Sequence, residues 1–147
     1  MINSSYLKAL QQQNTDHYVP VWFLRQAGRY LPEYKAIRAR FSDFFEMIKT
    51  PQVCCELTLQ PLRRFHLDAA ITFSDILTIP EALGNEISFI EGRGPVFKEA
   101  IKNGDNPKLD IGGFKNLDYV FEATQLIKSK IDVPLIGFAG SPWTVFI

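Results

Sequence analysis

The chain has 147 residues, of which 46% are hydrophobic and 13% aromatic, enough for one modest domain with a substantial core. Lys plus Arg number 16 and so do Asp plus Glu. This balance excludes any general attraction to nucleic acid or to an anionic membrane, and leaves anion binding to local placement of charge.

The polar start, MINSSYLKALQQQNTDHY, lacks the apolar stretch of a secretory leader. No run approaches the roughly 18 apolar residues of a membrane span. Within that start, Ser4 to Gln13 predicts a short helix capped by Ser4 or Ser5, broken at Asn14-Thr15-Asp16. His17 carries no signal. VPVWFL (19–24) is a continuous apolar run of strand length, the pattern of a strand buried on both faces, with Pro20 suited to its start.

That run ends in RQAGRYLPEY. Arg25 and Arg29 bracket Gly28, and two guanidiniums beside a bare backbone suit a polycarboxylate or a phosphate. A pair of salt bridges, to Glu33 or Glu46, explains the spacing equally well. A helix is expected after Pro32. A second follows in SDFFEMIKT, capped by Ser42 and ended at Pro51. A longer one runs through PQVCCELTLQPLRRFH, where Pro61 should kink or divide it. Cys54 and Cys55 are adjacent and too few for a disulfide framework, so they read as reduced thiols in or near the core of a cytoplasmic protein. No further Cys or well-spaced His completes a zinc site. His66, after Arg63-Arg64-Phe65, reads as a surface or packing histidine.

LDAAITFSD (67–75) is a second apolar run with a polar tail. Asp75 at its end either caps the next turn or presents a carboxylate to a ligand NH or a developing positive charge. PEALG predicts a helical turn stopped by Gly84. ISFIEGRGPVF predicts a hairpin about Gly92-Arg93-Gly94. It is no phosphate loop, because it lacks the spacing and the strand-to-helix setting of one. Residues 103–114 read as loop. LDYVFEATQLIKSKI (117–131) is amphipathic at a helical period, through Val120, Ala123, Leu126, Ile127 and Ile131 among others. VPLIGFAGSPW is a third apolar run. Gly137, Gly140 and Ser141-Pro142 after it make either an anion-friendly turn or a plain strand-to-helix turn.

Three apolar runs separated by helices give a βαβαβ rhythm, and so an α/β fold with a parallel sheet. In such folds ligands sit beyond the carboxyl ends of the strands, which here carry RQAGR, SD and GSPW. A closed (β/α)₈ barrel takes about 250 residues. Residues 1–147 are therefore expected to be the N-terminal part of one longer barrel domain.

PVWFLRQAGRYLPEY, CCELTLQPLRRFHLDAAITFSDIL and GFAGSPWT, in this order and spacing, resemble successive blocks of the uroporphyrinogen decarboxylase family. Leu24 replaces the methionine of the first block, a swap of similar apolar volume. The resemblance implies the N-terminal portion of a (β/α)₈ TIM-type barrel, with about three parallel strands, covering helices and a small β-hairpin. It also implies a cytoplasmic, homodimeric carboxy-lyase of haem biosynthesis. That enzyme removes the carboxyl groups of the four acetate side chains of uroporphyrinogen III, giving coproporphyrinogen III, without metal or organic cofactor. Arg25 and Arg29 would pair with substrate carboxylates, and the Gln26-Ala27-Gly28 backbone would lie against the ligand. Asp75 would accept the pyrrole NH groups, kept ionised by nearby arginines. Residues 1–147 alone are expected to be inactive.

Overall fold

The computed structural model describes residues 5–15, 17–90, 92–98 and 110–146. Four helices come first: α1 (Ser5–Leu10), α2 (Pro32–Arg38), α3 (Phe44–Ile48) and α4 (Pro51–Arg64). Strand β1 (Ala70–Ile71) and helix α5 (Thr78–Ala82) follow, then the antiparallel pair β2 (Ile87–Ile90) and β3 (Gly94–Phe97), turning through Gly92 and Gly94 at positive φ. A 3₁₀ helix (Ile111–Leu117) leads into α6 (Asp118–Lys128), then β4 (Leu135–Ile136) and α7 (Pro142–Phe146).

Strands β1 and β4 pair in parallel, Ala70 opposite Leu135 and Ile71 opposite Ile136. The segment between them crosses over through α6, which packs on α4. Helix α4 is the spine of the fold. Pro51 sits at its first turn, where the missing N–H costs nothing, and Arg63 and Arg64 favour its C-terminal end. Its buried residues form two stripes. Cys54 and Leu57 join Leu31, Tyr34, Phe45, Met47 and Ile48 in the main core. Cys55 and Leu59 meet Ile127 of α6 in a second cluster. Both cysteines are free and buried.

Four expectations are corrected. VPVWFL forms no strand, and it is not buried on both faces: Val19 is 75% exposed and Phe23 60%. On β1's side, Asp68 N–H donates to Val21 O at 3.0 Å and Val21 N–H donates to the Asp68 carboxylate at 2.7 Å. One such pair does not make a ladder, and an apolar run packed from one side stays exposed on the other. The cap of α3 is Asp43, not Ser42; its carboxylate accepts from Glu46 N–H at 3.1 Å. Helix α4 is not divided at Pro61, which is buried in its last turn with its carbonyl accepting from Phe65 N–H. The expected loop at 103–114 lies outside the described residues up to 109. From Ile111 it is a 3₁₀ helix, started by Asp110, which accepts from Gly112 N–H at 2.9 Å.

Candidate functional site

After β1 the chain turns sharply toward α5, and Asp75 makes that turn. Its Oδ1 accepts from Leu77 N–H at 2.8 Å, and its carbonyl accepts from the Thr78 hydroxyl at 3.0 Å. Asp75 therefore stabilises the turn ahead of α5 rather than capping the helix, whose N-cap is Leu77, and this occupies one carboxylate oxygen. Asp75 also lines a cavity of about 460 Å³. Thr72, Phe73 and Ser74 continue this wall. Arg25, Gln26 and Ala27 form the facing one, and Phe138, just past β4, contributes a third side. The ends of three separated segments therefore meet at one concavity.

The expected residues do not all share it. Gly28 and Arg29 are not part of the lining. Arg29 is exposed, and its charge acts on Tyr34: burial raises the Tyr34 hydroxyl pKa, and Arg29 and then Arg38 pull it back. Tyr34 lines the cavity, and Arg29 does not. At Gly28 an added Cβ would meet nothing of the protein closer than the Tyr30 ring, at 3.6 Å. Neither arginine belongs to an ion pair among the described residues. Glu33 is taken by Arg64, and Glu46 accepts from Ser42. Among the described residues, the salt bridges to Glu33 or Glu46 considered for Arg25 and Arg29 are not formed.

Gln26 is 3% exposed, and its amide is engaged at both ends: Nε2 donates to Ala69 O at 2.8 Å and Oε1 accepts from Ile71 N–H at 3.2 Å. The Tyr30 hydroxyl donates to the Gln26 carbonyl. Asp75 is not held ionised by an arginine, contrary to expectation. Burial pushes its pKa above the usual carboxylate value, and the Leu77 N–H alone opposes this.

Sequence reasoning missed Thr58. It lines the cavity, donates to Cys54 O at 2.9 Å and accepts from Phe73 N–H at 3.0 Å. Its position one turn after Cys54 on the buried stripe of α4 was the available signal. In GSPW, Ser141 Oγ accepts from Thr144 N–H at 3.4 Å at the start of α7. Gly140 is needed there, since a Cβ would come within 2.6 Å of Ile76 O, so this block packs on the Asp75 turn. Exposed His66 lines a second cavity, of about 530 Å³, with Arg25, Tyr30 and Arg64. Among the described residues no cluster of three or more His, Cys, Asp or Glu is placed to hold a metal, and no helix is long and apolar enough to cross a membrane.

In fold, the chain is similar to a methyltransferase from Methanosarcina mazei, with a TM-score of 0.74 and 22% identity over 98% of this chain and 43% of that one. In sequence it is 52% identical over 143 residues to a uroporphyrinogen decarboxylase of Francisella tularensis subsp. novicida (strain U112). It is 53% identical over 147 residues to one of Xanthomonas campestris pv. campestris (strain B100). These matches cover 95% and 97% of the chain but 41% of each relative. The family model described as uroporphyrinogen decarboxylase (URO-D) matches residues 1–147. By sequence along its whole length, the chain belongs to the uroporphyrinogen decarboxylase family.

Proposed function

We propose that this chain supplies one wall of the active site of a cofactor-free uroporphyrinogen decarboxylase built on a (β/α)₈ barrel, cytoplasmic and homodimeric when complete. The observation that carries this reading is the meeting of Arg25 and Asp75 at one cavity, with Arg25 lacking a described carboxylate partner. Uroporphyrinogen offers both complements. Its eight carboxylates suit the two guanidiniums, of Arg25 in the cavity lining and of exposed Arg29, and its four pyrrole NH groups suit Asp75. Ala27 and the uncrowded Gly28 would let the ring approach the backbone.

The reaction protonates a pyrrole carbon, so the ring is cationic before carbon dioxide leaves. Asp75 is partly buried and has no cation to offset that burial. A substrate that brings NH donors and then a growing positive charge would supply what it lacks. The interaction strengthens as the transition state forms, which is the condition for lowering a barrier. A guanidinium keeps its proton and is a poor acid, so the arginines act here as carboxylate anchors.

The test is a decarboxylation assay with uroporphyrinogen III. Coproporphyrinogen III is expected from the full-length protein, and no turnover from residues 1–147 alone. Absence of product from the folded full-length protein would overturn the reading.

A further inference from the structure

We propose that Gln26 is a positioning residue rather than a substrate ligand: its side-chain amide stands in for a neighbouring strand on the open edge of β1 and so sets the separation of Arg25 and Asp75. The inference rests on the reading that these two residues meet one substrate. Successive backbone groups of a strand point alternately to its two edges. On one edge of β1, Ala70 N–H donates to Pro134 O at 2.9 Å and Thr72 N–H to Ile136 O at 3.0 Å. On the other edge lie Ala69 O and Ile71 N–H. A carboxamide carries the same donor and acceptor pair as a peptide group, and Gln26 fills both. At 3% exposure and with both ends committed, the side chain is occupied by the protein. The peptide carbonyl of Gln26 is in turn held by Tyr30. The residue next to Arg25 is therefore bonded on one side to β1, which leads into the Asp75 turn, and on the other to its own loop.

The variants Gln26→Leu and Gln26→Glu in the full-length protein test this. Leu keeps the size and removes both hydrogen bonds. Glutamic acid restores both only while protonated, its O–H donating to Ala69 O and its carbonyl accepting from Ile71 N–H. Ionised, it sets a carboxylate oxygen against Ala69 O. Burial raises the pKa of such an acid, so the clamp holds at low pH and is lost as pH rises through the raised value. Arg25, Tyr34 and Asp75 face this position from one cavity, and Tyr30, Arg64 and His66 from the other. Taking each rate relative to wild type at the same pH removes their own titration.

In Gln26→Leu, kcat/KM should fall about 10²-fold, as expected for a displacement near 1 Å, and the Ile71 amide should exchange faster while Thr72 does not. In Gln26→Glu, kcat/KM relative to wild type should decline with rising pH. Should Gln26→Leu fail to fold, that pH profile decides alone, and a flat profile overturns the proposal. Unchanged kcat/KM despite faster Ile71 exchange overturns it as well. So does a rise in KM with Ile71 exchange unaltered, which would make Gln26 a ligand. Full activity in Arg25→Ala and Asp75→Asn would remove the underlying reading; Ile71 exchange, still reporting the clamp, tells that failure apart.

Discussion

Glu33 is held by Arg64, whose Nε and Nη2 donate to its two carboxylate oxygens, the second at 2.9 Å. The arrangement is bidentate and lies at the surface. It matters because Glu33, four residues after Arg29, was a candidate partner for the RQAGR segment. With Glu33 engaged by Arg64, neither Arg25 nor Arg29 has an ion-pair partner among the described residues.

Arg25→Ala and Arg29→Ala should each weaken tetrapyrrole binding by the value of a charge-assisted hydrogen bond, about 1.5–3 kcal/mol, or roughly 10- to 150-fold. Arg64→Ala should leave affinity within about threefold. Fluorescence titration of the full-length variants with uroporphyrin compares the three. Equal losses at Arg25 and Arg64 would mean that the basic surface acts as a whole.

Asp75→Asn should separate stability from turnover. Burial raises the folded-state pKa of Asp75, so its ionised form is disfavoured in the folded chain. The stabilising contribution of this group is fully present below the unfolded value of about 3.9 and is lost as pH rises through the raised value. At pH 7 wild type bears the cost of a poorly solvated carboxylate. Asparagine removes that cost and keeps the acceptor for Leu77 N–H. The variant should melt at or above the wild-type temperature at pH 7, with the advantage shrinking in acid. Its kcat should fall roughly 10²- to 10³-fold. Turnover within about tenfold of wild type, with binding lost, would make Asp75 an anchor alone.

How far the sequence could be read follows from which interactions are local. The Gly84 stop and the period of α6 depend on neighbours in the chain, and both were legible. Ser42 and Asp43 are both capping residues by type, and no propensity separates adjacent candidates. VPVWFL has the composition of a strand, but a strand also needs backbone partners. Beside it on β1, the donor and acceptor are taken by the Gln26 side chain, which no pattern rule anticipates. Thr58 was hidden for a similar reason, since a threonine on a buried helical stripe looks the same whichever distant N–H it meets.

That partner gives Thr58 a measurable weight. Thr58→Val keeps the shape and leaves Phe73 N–H without an acceptor, just ahead of Asp75. An unsatisfied buried donor costs about 1–3 kcal/mol, and urea unfolding should report a loss in that range. Thr58→Ser retains the hydroxyl and should lose no more than about 1 kcal/mol, the value of a buried methyl group. Similar losses in both would show that packing, not the hydrogen bond, is what Thr58 contributes.

Gly113 offers the sharpest steric test of the packing behind the site. It lies in the 3₁₀ helix that packs on α5, the helix leading away from Asp75. A Cβ there would sit 1.8 Å from Ala82 O, a backbone atom that cannot rotate aside. Gly113→Ala must push the 3₁₀ helix off α5, at a cost of about 3 kcal/mol or more. At Gly137, by contrast, an added Cβ meets nothing within 4 Å. Gly137→Ala should leave stability within about 1 kcal/mol, on the stabilising side, because alanine restricts the unfolded chain. Thermal unfolding of the two variants beside wild type measures the difference. Equal stability of the two would mean that the contact between the 3₁₀ helix and α5 yields without resistance.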